Sequence, residues 1–200
     1  MRFLAVDPSL TCSGWAFFCA SSERLLAVGK VRSLPASKSL AERLEDLQRR
    51  INLVFNNLEL GVNDVLVCEA QTTMRDPRAA FIVEQVRGIF ETCARERHIK
   101  VPGRVNPRSV QFEVMGLKGK QLGREVVKHT AVEVAQQLFG ESLAEMGFEQ
   151  GPSALKKHQD IVDALLIGHY TLARIVQSRM SHQPLEEFFS QGTRSKRRSV

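Results

Sequence analysis

Four carboxylates of this 200-residue chain stand where they could do chemistry: Asp7, Glu69, Asp160 and Asp163. Asp7 closes the apolar run RFLAV and Glu69 closes VLVC, while Asp160 and Asp163 open the otherwise apolar DIVDALLIG. Each has a plain structural role on its own. Asp7-Pro8-Ser9 is a turn signal, and a strand-ending Glu is usually solvated. Asp160 suits a helix N-cap and Asp163 a first turn, where the helix dipole favours an acid. Together they point elsewhere. Two strands of a mixed sheet can end side by side, and residues three apart on a helix have Cβ atoms about 5–6 Å apart. All four carboxylates can therefore face one spot. Ionised acids sharing a pocket repel, so their pKa values rise or the site opens unless a cation intervenes. Mg²⁺ takes oxygen ligands and keeps waters. The expected site is an acidic one built for two divalent ions.

The elements that must position these acids follow from periodicity. RFLAV, GWAFFCA and LLAVGKV predict three successive strands in a meander. Residues 39–58 switch to helical spacing, with Leu40, Leu44, Leu47, Ile51 and Val54/Phe55 on one face. VLVC predicts a buried strand, and a second long helix is expected over 77–97 with Pro77 in its first turn. Its apolar set, Ala80/Phe81, Val83, Ile89/Phe90 and Cys93/Ala94, is expected to pack on the sheet. A fifth strand is expected at 99–105, helices at 107–115 and 121–139, a loop over 140–157, and a last helix from near Asp160. Thr171, Arg174 and Ser178 suggest a partly solvated stripe on that helix. The result is an α/β domain over 1–180, a mixed sheet flanked by helices. Residues 181–200 turn polar and basic and are expected to be a disordered tail.

The net charge is +6, and residues 1–180 keep +4 of it. A basic balance favours a polyanionic partner, with nucleic acid ahead of an anionic membrane. Cys12, Cys19, Cys68 and Cys93 form no C-x-x-C pair and read as small hydrophobes in a reducing cytosol. No signal peptide or apolar run of membrane-spanning length is present, so a cytoplasmic protein without membrane association is expected.

The ordered set FLAVDPSLTCSGWAFF, VLVCEAQ, EQVRG, NPRSVQFEVMG and HQDIVDALLIG resembles the RuvC-type Holliday-junction resolvases of the ribonuclease H-like nuclease fold. The resemblance spans roughly residues 2–175. It implies a five-stranded mixed sheet with helices on both faces. It also implies a homodimer that cuts four-way DNA junctions in pairs, using Mg²⁺ or Mn²⁺. Asp7, Glu69, Asp160 and Asp163 match the four acidic positions of the family's site, where some relatives carry His in place of Asp160. Family members wedge an aromatic residue from the loop after the strand-ending Glu. Here that loop reads Thr72-Thr73-Met74-Arg75, leaving Met74 as the only apolar wedge. Gln111 stands where relatives often have Lys, and Lys118, Lys120 and Arg124 are the cations that could compensate.

Phosphodiester hydrolysis by this resemblance would use two ions about 3.5–4 Å apart, with Asp7 bridging and Glu69, Asp160 and Asp163 flanking. Arg104, Arg108, Lys118, Lys120, Arg124 and Lys128 outnumber Glu113 and Glu125 and form the expected DNA surface, joined by Arg75 and Arg78. His158, two residues before Asp160, is a candidate auxiliary group for proton transfer or phosphate contact. His129 and His169 read as surface or packing residues. A branch-migration helicase is a further candidate partner. The competing readings are a looser nuclease of the same fold acting on flaps, forks or RNA–DNA hybrids, and a non-catalytic junction-binding protein. An actin-like ATPase is disfavoured, because the chain has no Gly-rich second phosphate loop and no P-loop.

Overall fold

The computed structural model describes residues 1–71, 76–118 and 122–190. The first three apolar runs form an antiparallel meander, β1 (Arg2–Asp7), β2 (Cys12–Cys19) and β3 (Arg24–Arg32). Buried Ser13 ties the β1–β2 turn: its hydroxyl donates to the Ser9 carbonyl and accepts from the Ser9 N–H, both at 2.9 Å. Helix α1 (Leu40–Asn57) begins in a capping box, in which Ser39 and Glu42 each accept from the other's backbone N–H. β4 (Val65–Glu69) follows, then α2 (Pro77–Glu96), capped by Asp76 with Pro77 in its first turn. β5 (Arg104–Val105), α3 (Pro107–Glu113), α4 (Arg124–Glu145), α5 (Pro152–Leu155), α6 (Gln159–Ser181) and α7 (Leu185–Ser190) complete the described chain.

The sheet order is β3-β2-β1-β4-β5, with β4 and β5 parallel to β1. This is the five-stranded mixed sheet flanked by helices. Alternation along the strands divides it into two apolar layers. Phe3, Ala5, Ala16, Phe18, Val65 and Val67 face α4 and α6, whereas Leu4, Val6, Phe17, Leu66 and Cys68 face α1 and α2. Helix α6 is the hub of the first layer and packs on β1, β2, β3 and β4. It comes so close that a Cβ added at Gly168 would stand 2.1 Å from the Phe18 ring. No helix among the described residues is long and apolar enough to cross a membrane.

Several expectations are corrected. The run 99–105 pairs at only two places, Lys100 with Val65 and Arg104–Val105 with β4, because Pro102 and Gly103 interrupt the ladder. Helix α4 continues to Glu145, and α5 with a 3-10 turn at Lys156–His158 occupies much of the expected loop. Ordered packing continues past residue 180. α6 runs to Ser181, and α7 buries Leu185, rests Phe189 against Gly103 and pairs Glu186 with Lys100 at 3.0 Å. Residues 191–200 lie outside the described residues.

On α2, Phe81 is 64% exposed; the buried face uses Val86, Phe90, Cys93 and Ala94 together with Arg87 and Glu91. Arg87 tolerates full burial because Glu84 and Glu91, one turn away on either side, pair with it. Thr171 is fully buried, its hydroxyl donating to the Ile167 carbonyl at 2.8 Å, so the expected solvated stripe fails there.

The contact at Gly168 gives a direct test of the hub. Gly168→Ala should lower stability by about 1–3 kcal/mol through overpacking against Phe18, read as a lower urea midpoint. An unchanged midpoint would mean that α6 can move off the sheet freely.

Candidate active site

Strand parity decides which way the acids point. Asp7 is in phase with Phe3 and Ala5, and Glu69 with Val65 and Val67, so both project to the α6 side of the sheet. β1 and β4 are parallel neighbours in the register Val6↔Cys68, which brings Asp7 and Glu69 side by side at the strand ends. Across the sheet in the other direction, Asp7 pairs with Gly14, and Gly14 with Lys30. Gly14 is the seat of α6. A Cβ there would lie 1.8 Å from the Asp160 carbonyl oxygen, so the first turn of the helix rests on bare backbone beside Asp7. That contact fixes Asp160, and Asp163 follows on the same face three residues later. The cap of α6 is His158, with no side-chain hydrogen bond; Asp160 lies inside the first turn and is not the N-cap.

The electrostatics bear the marks of crowding. Burial pushes the Asp7 carboxyl well above the usual carboxylate range, and Glu69, Asp163 and Asp160 push it further. Asp7 and Glu69 face each other closely enough for each to act on the other's carboxyl. Glu69 rises to about 8, through burial and then the charge of Asp163. Asp163 rises to about 6 through burial, opposed by the Gln159 hydrogen bond and raised again by Asp160. Among the described residues, no three His, Cys, Asp or Glu side chains are drawn together into a ready-made ion cage. Each acid is held by a local partner instead: Asp160 pairs with Lys30 at 3.1 Å, and Asp163 accepts from Gln159 Nε2 at 2.9 Å. The donor set fits a hard divalent cation, being oxygen-only and crowded.

Beside the acids opens a cleft of about 970 Å³ walled by α3, α4 and α6, with Glu69 and Asp163 in its lining. Of the expected DNA-contacting cations, Arg108 and Arg124 line it, as does Lys128. Arg104 does not: its Nε donates to Glu91 at 3.0 Å, tying β5 to α2. Arg78 sits in the first turn of α2 and Lys118 is exposed after α3, and neither lines the cleft. Met74, Arg75 and Lys120 lie outside the described residues. His158 packs edge-on against Phe148 with ring centroids 5.4 Å apart. Burial lowers its pKa, and the charges of Lys30, Lys157 and Arg32 lower it further. His169 packs on Phe139, and His129 pairs with Glu133 on the exposed face of α4.

Two contributors escape a reading of motifs. Lys30 was detectable only as a lone cation in the apolar run LLAVGKV, and Gly14 only as part of Ser-Gly; their partnership is a matter of strand register.

Several solved structures share the fold. Two structures of RuvC from Thermus thermophilus, one with a Holliday junction substrate, superpose with TM-scores of 0.60 and 0.61. Both are 19% identical to this chain, over 90% of its length and 96% and 97% of theirs. The fowlpox virus resolvase in complex with its substrate Holliday junction DNA superposes with a TM-score of 0.53 at 16% identity, over 88% of this chain and 99% of that one. These likenesses define the class of fold, the ribonuclease H-like α/β sheet. No protein-family model and no curated protein matches the chain.

The raised carboxylates set the sign of a pH effect. In metal-free buffer the folded state holds protons on Glu69 and Asp163 that the unfolded chain has already lost. Their contribution therefore falls as pH rises from about 4 to about 8, opposite to that of a salt-bridged acid. His158 and His169, lowered by burial, act the other way, so the comparison must be with a variant. Glu69→Gln should be more stable than the parent at pH 8 by about 1–2 kcal/mol, since a tenfold change in proton affinity is about 1.4 kcal/mol. The gap should close by pH 5. Equal urea midpoints at pH 8 would contradict the crowding.

Proposed function

We propose that this protein is a divalent-metal-dependent endonuclease that cuts branched DNA, with four-way junctions as its preferred substrate. The observation that carries this reading is that Asp7, Glu69, Asp160 and Asp163, from β1, β4 and α6, lie near enough to act on one another electrostatically, though not drawn into a cage, beside a cleft edged by Arg108, Arg124 and Lys128. The four acids would hold the metal, Asp7 centrally because it adjoins Glu69 on one side and α6 on the other. A bound divalent cation supplies charge neutralisation at the phosphoryl group undergoing displacement. The chain's own residues do the rest. Arg108, Arg124 and Lys128 bind phosphates of the flanking backbone, Gln159 orients Asp163, and Lys30 holds Asp160 against the sheet.

The two solved relatives described with Holliday junction DNA support the substrate class. Paired cuts on opposing strands need two acid clusters, and the described residues of one chain carry one. A homodimer is therefore part of the proposal, and the exposed Phe81 on α2 offers apolar surface for it. A helicase that moves the branch point would act before cleavage.

Asp7→Asn should abolish Mg²⁺-dependent cleavage of a labelled four-way junction while junction binding persists in a gel-shift assay. Wild-type cuts should fall symmetrically on opposing strands. Scattered cuts, equally frequent on three-way and linear substrates, would favour a looser nuclease of the same fold. No metal-dependent cleavage at all would favour a binding protein. Phosphate contacts by Arg108, Arg124 and Lys128 should also make binding fall steeply with salt, each neutralised phosphate contributing about 0.9 to the log–log slope. Replacing Lys128 by Gln should flatten it.

A further inference from the structure

One wall of the cleft is apolar in a way that phosphate binding does not require. Phe112 on α3 is 56% exposed, and Leu122, also in the lining, is 38% exposed. A groove that only tracks a charged backbone needs cations, and water-facing apolar side chains contribute nothing to it. Arg108 lies four residues before Phe112 on the same helical face, and Arg124 and Lys128 face the same space from α4. The ring is mounted on a braced element. Asn106 caps α3, Val110 is buried, and Glu113 pairs with Arg174, whose guanidinium lies 4.4 Å from the Tyr170 ring centroid.

We infer that Phe112 is a stacking platform for an unpaired nucleobase of the cut strand, with Arg108 and Arg124 on its neighbouring phosphates. This inference rests on the nuclease reading and deepens it by naming what occupies the cleft. Bases inside a continuous duplex are already stacked on both faces and cannot reach a ring in a groove. A base at a branch point can be splayed out, and aromatic rings receive such bases with little regard to sequence. The same ring beside three cations suits a nucleotide better than an uncharged partner surface, since the cations would then be desolvated without a counter-charge.

The test uses the full chain in EDTA. The wild-type protein has a single tryptophan, Trp15, so Phe112→Trp adds a reporter at the platform. Four-way junction DNA and a single-stranded oligo-dT should quench the emission of Phe112→Trp well beyond that of the wild type. Phe112→Ala should bind both about tenfold more weakly, the low end of what one lost base–aromatic stack confers. Its affinity for continuous duplex should be unchanged. The exposure of Phe112 keeps the Ala variant folded, which a urea melt verifies. Unaltered junction binding by Phe112→Ala together with an unquenched reporter would overturn the platform and leave the nuclease reading standing. Failure of the wild type to bind either DNA would overturn both. A reporter already blue-shifted without DNA, and red-shifting on dilution, would place Phe112 in a contact between copies and overturn the platform alone.

Discussion

Mutual repulsion among carboxylates withdrawn from water is the constraint around which the structure is organised. An isolated surface acid ionises near pH 4 and is indifferent to its surroundings. At the ends of β1 and β4, under the first turns of α6, burial and like charge together push Asp7, Glu69 and Asp163 upward. A sheet with no use for these groups would lose nothing by carrying Ala or Ser in their place. Retaining them needs strong local partners. In the structure those partners are the ammonium of Lys30 beside Asp160 and the amide of Gln159 on Asp163. A hard cation would replace both at once.

The scaffold keeps the acids close against that repulsion by close packing behind them. Gly14 and Gly168 let α6 settle onto β2 at two points, where any side chain would lift it. Between them runs the apolar wall of Ile161, Val162, Leu165 and Leu166. Because protein interiors are nearly incompressible, a helix seated this way cannot swing out to relieve its charge. The second layer serves the same end from below. Its ion network of Arg87, Glu84, Glu91 and Arg104 ties α2 to β5.

Much of this was legible in the sequence because it depends on period and parity. The meander, α1 from its helical apolar spacing, β4 and the start of α2 all follow from local patterns, and so does the order of the four acids along the chain. What was not legible depends on partners distant in sequence. Arg104 reads as one more cation in a basic stretch until β5 places it beside Glu91. Leu185 and Phe189 read as part of a polar tail until the fold buries Leu185 and seats Phe189 against Gly103. Lys30 and Gly14 belong to the site only through the row Asp7–Gly14–Lys30, which register alone creates. The cations of the cleft were foreseeable as a group, whereas Phe112 was hidden inside an amphipathic segment whose exposed face could not be distinguished.

The most direct test of the central claim is calorimetric titration of Mn²⁺ into the DNA-free protein at pH 7, repeated in two buffers of different ionisation heat. If the acids form one cation site, Mn²⁺ binds to the wild type with net release of protons from the crowded carboxyls, and Asp7→Asn loses most of that binding. Binding without proton release, or binding of equal strength in Asp7→Asn, would contradict a shared site.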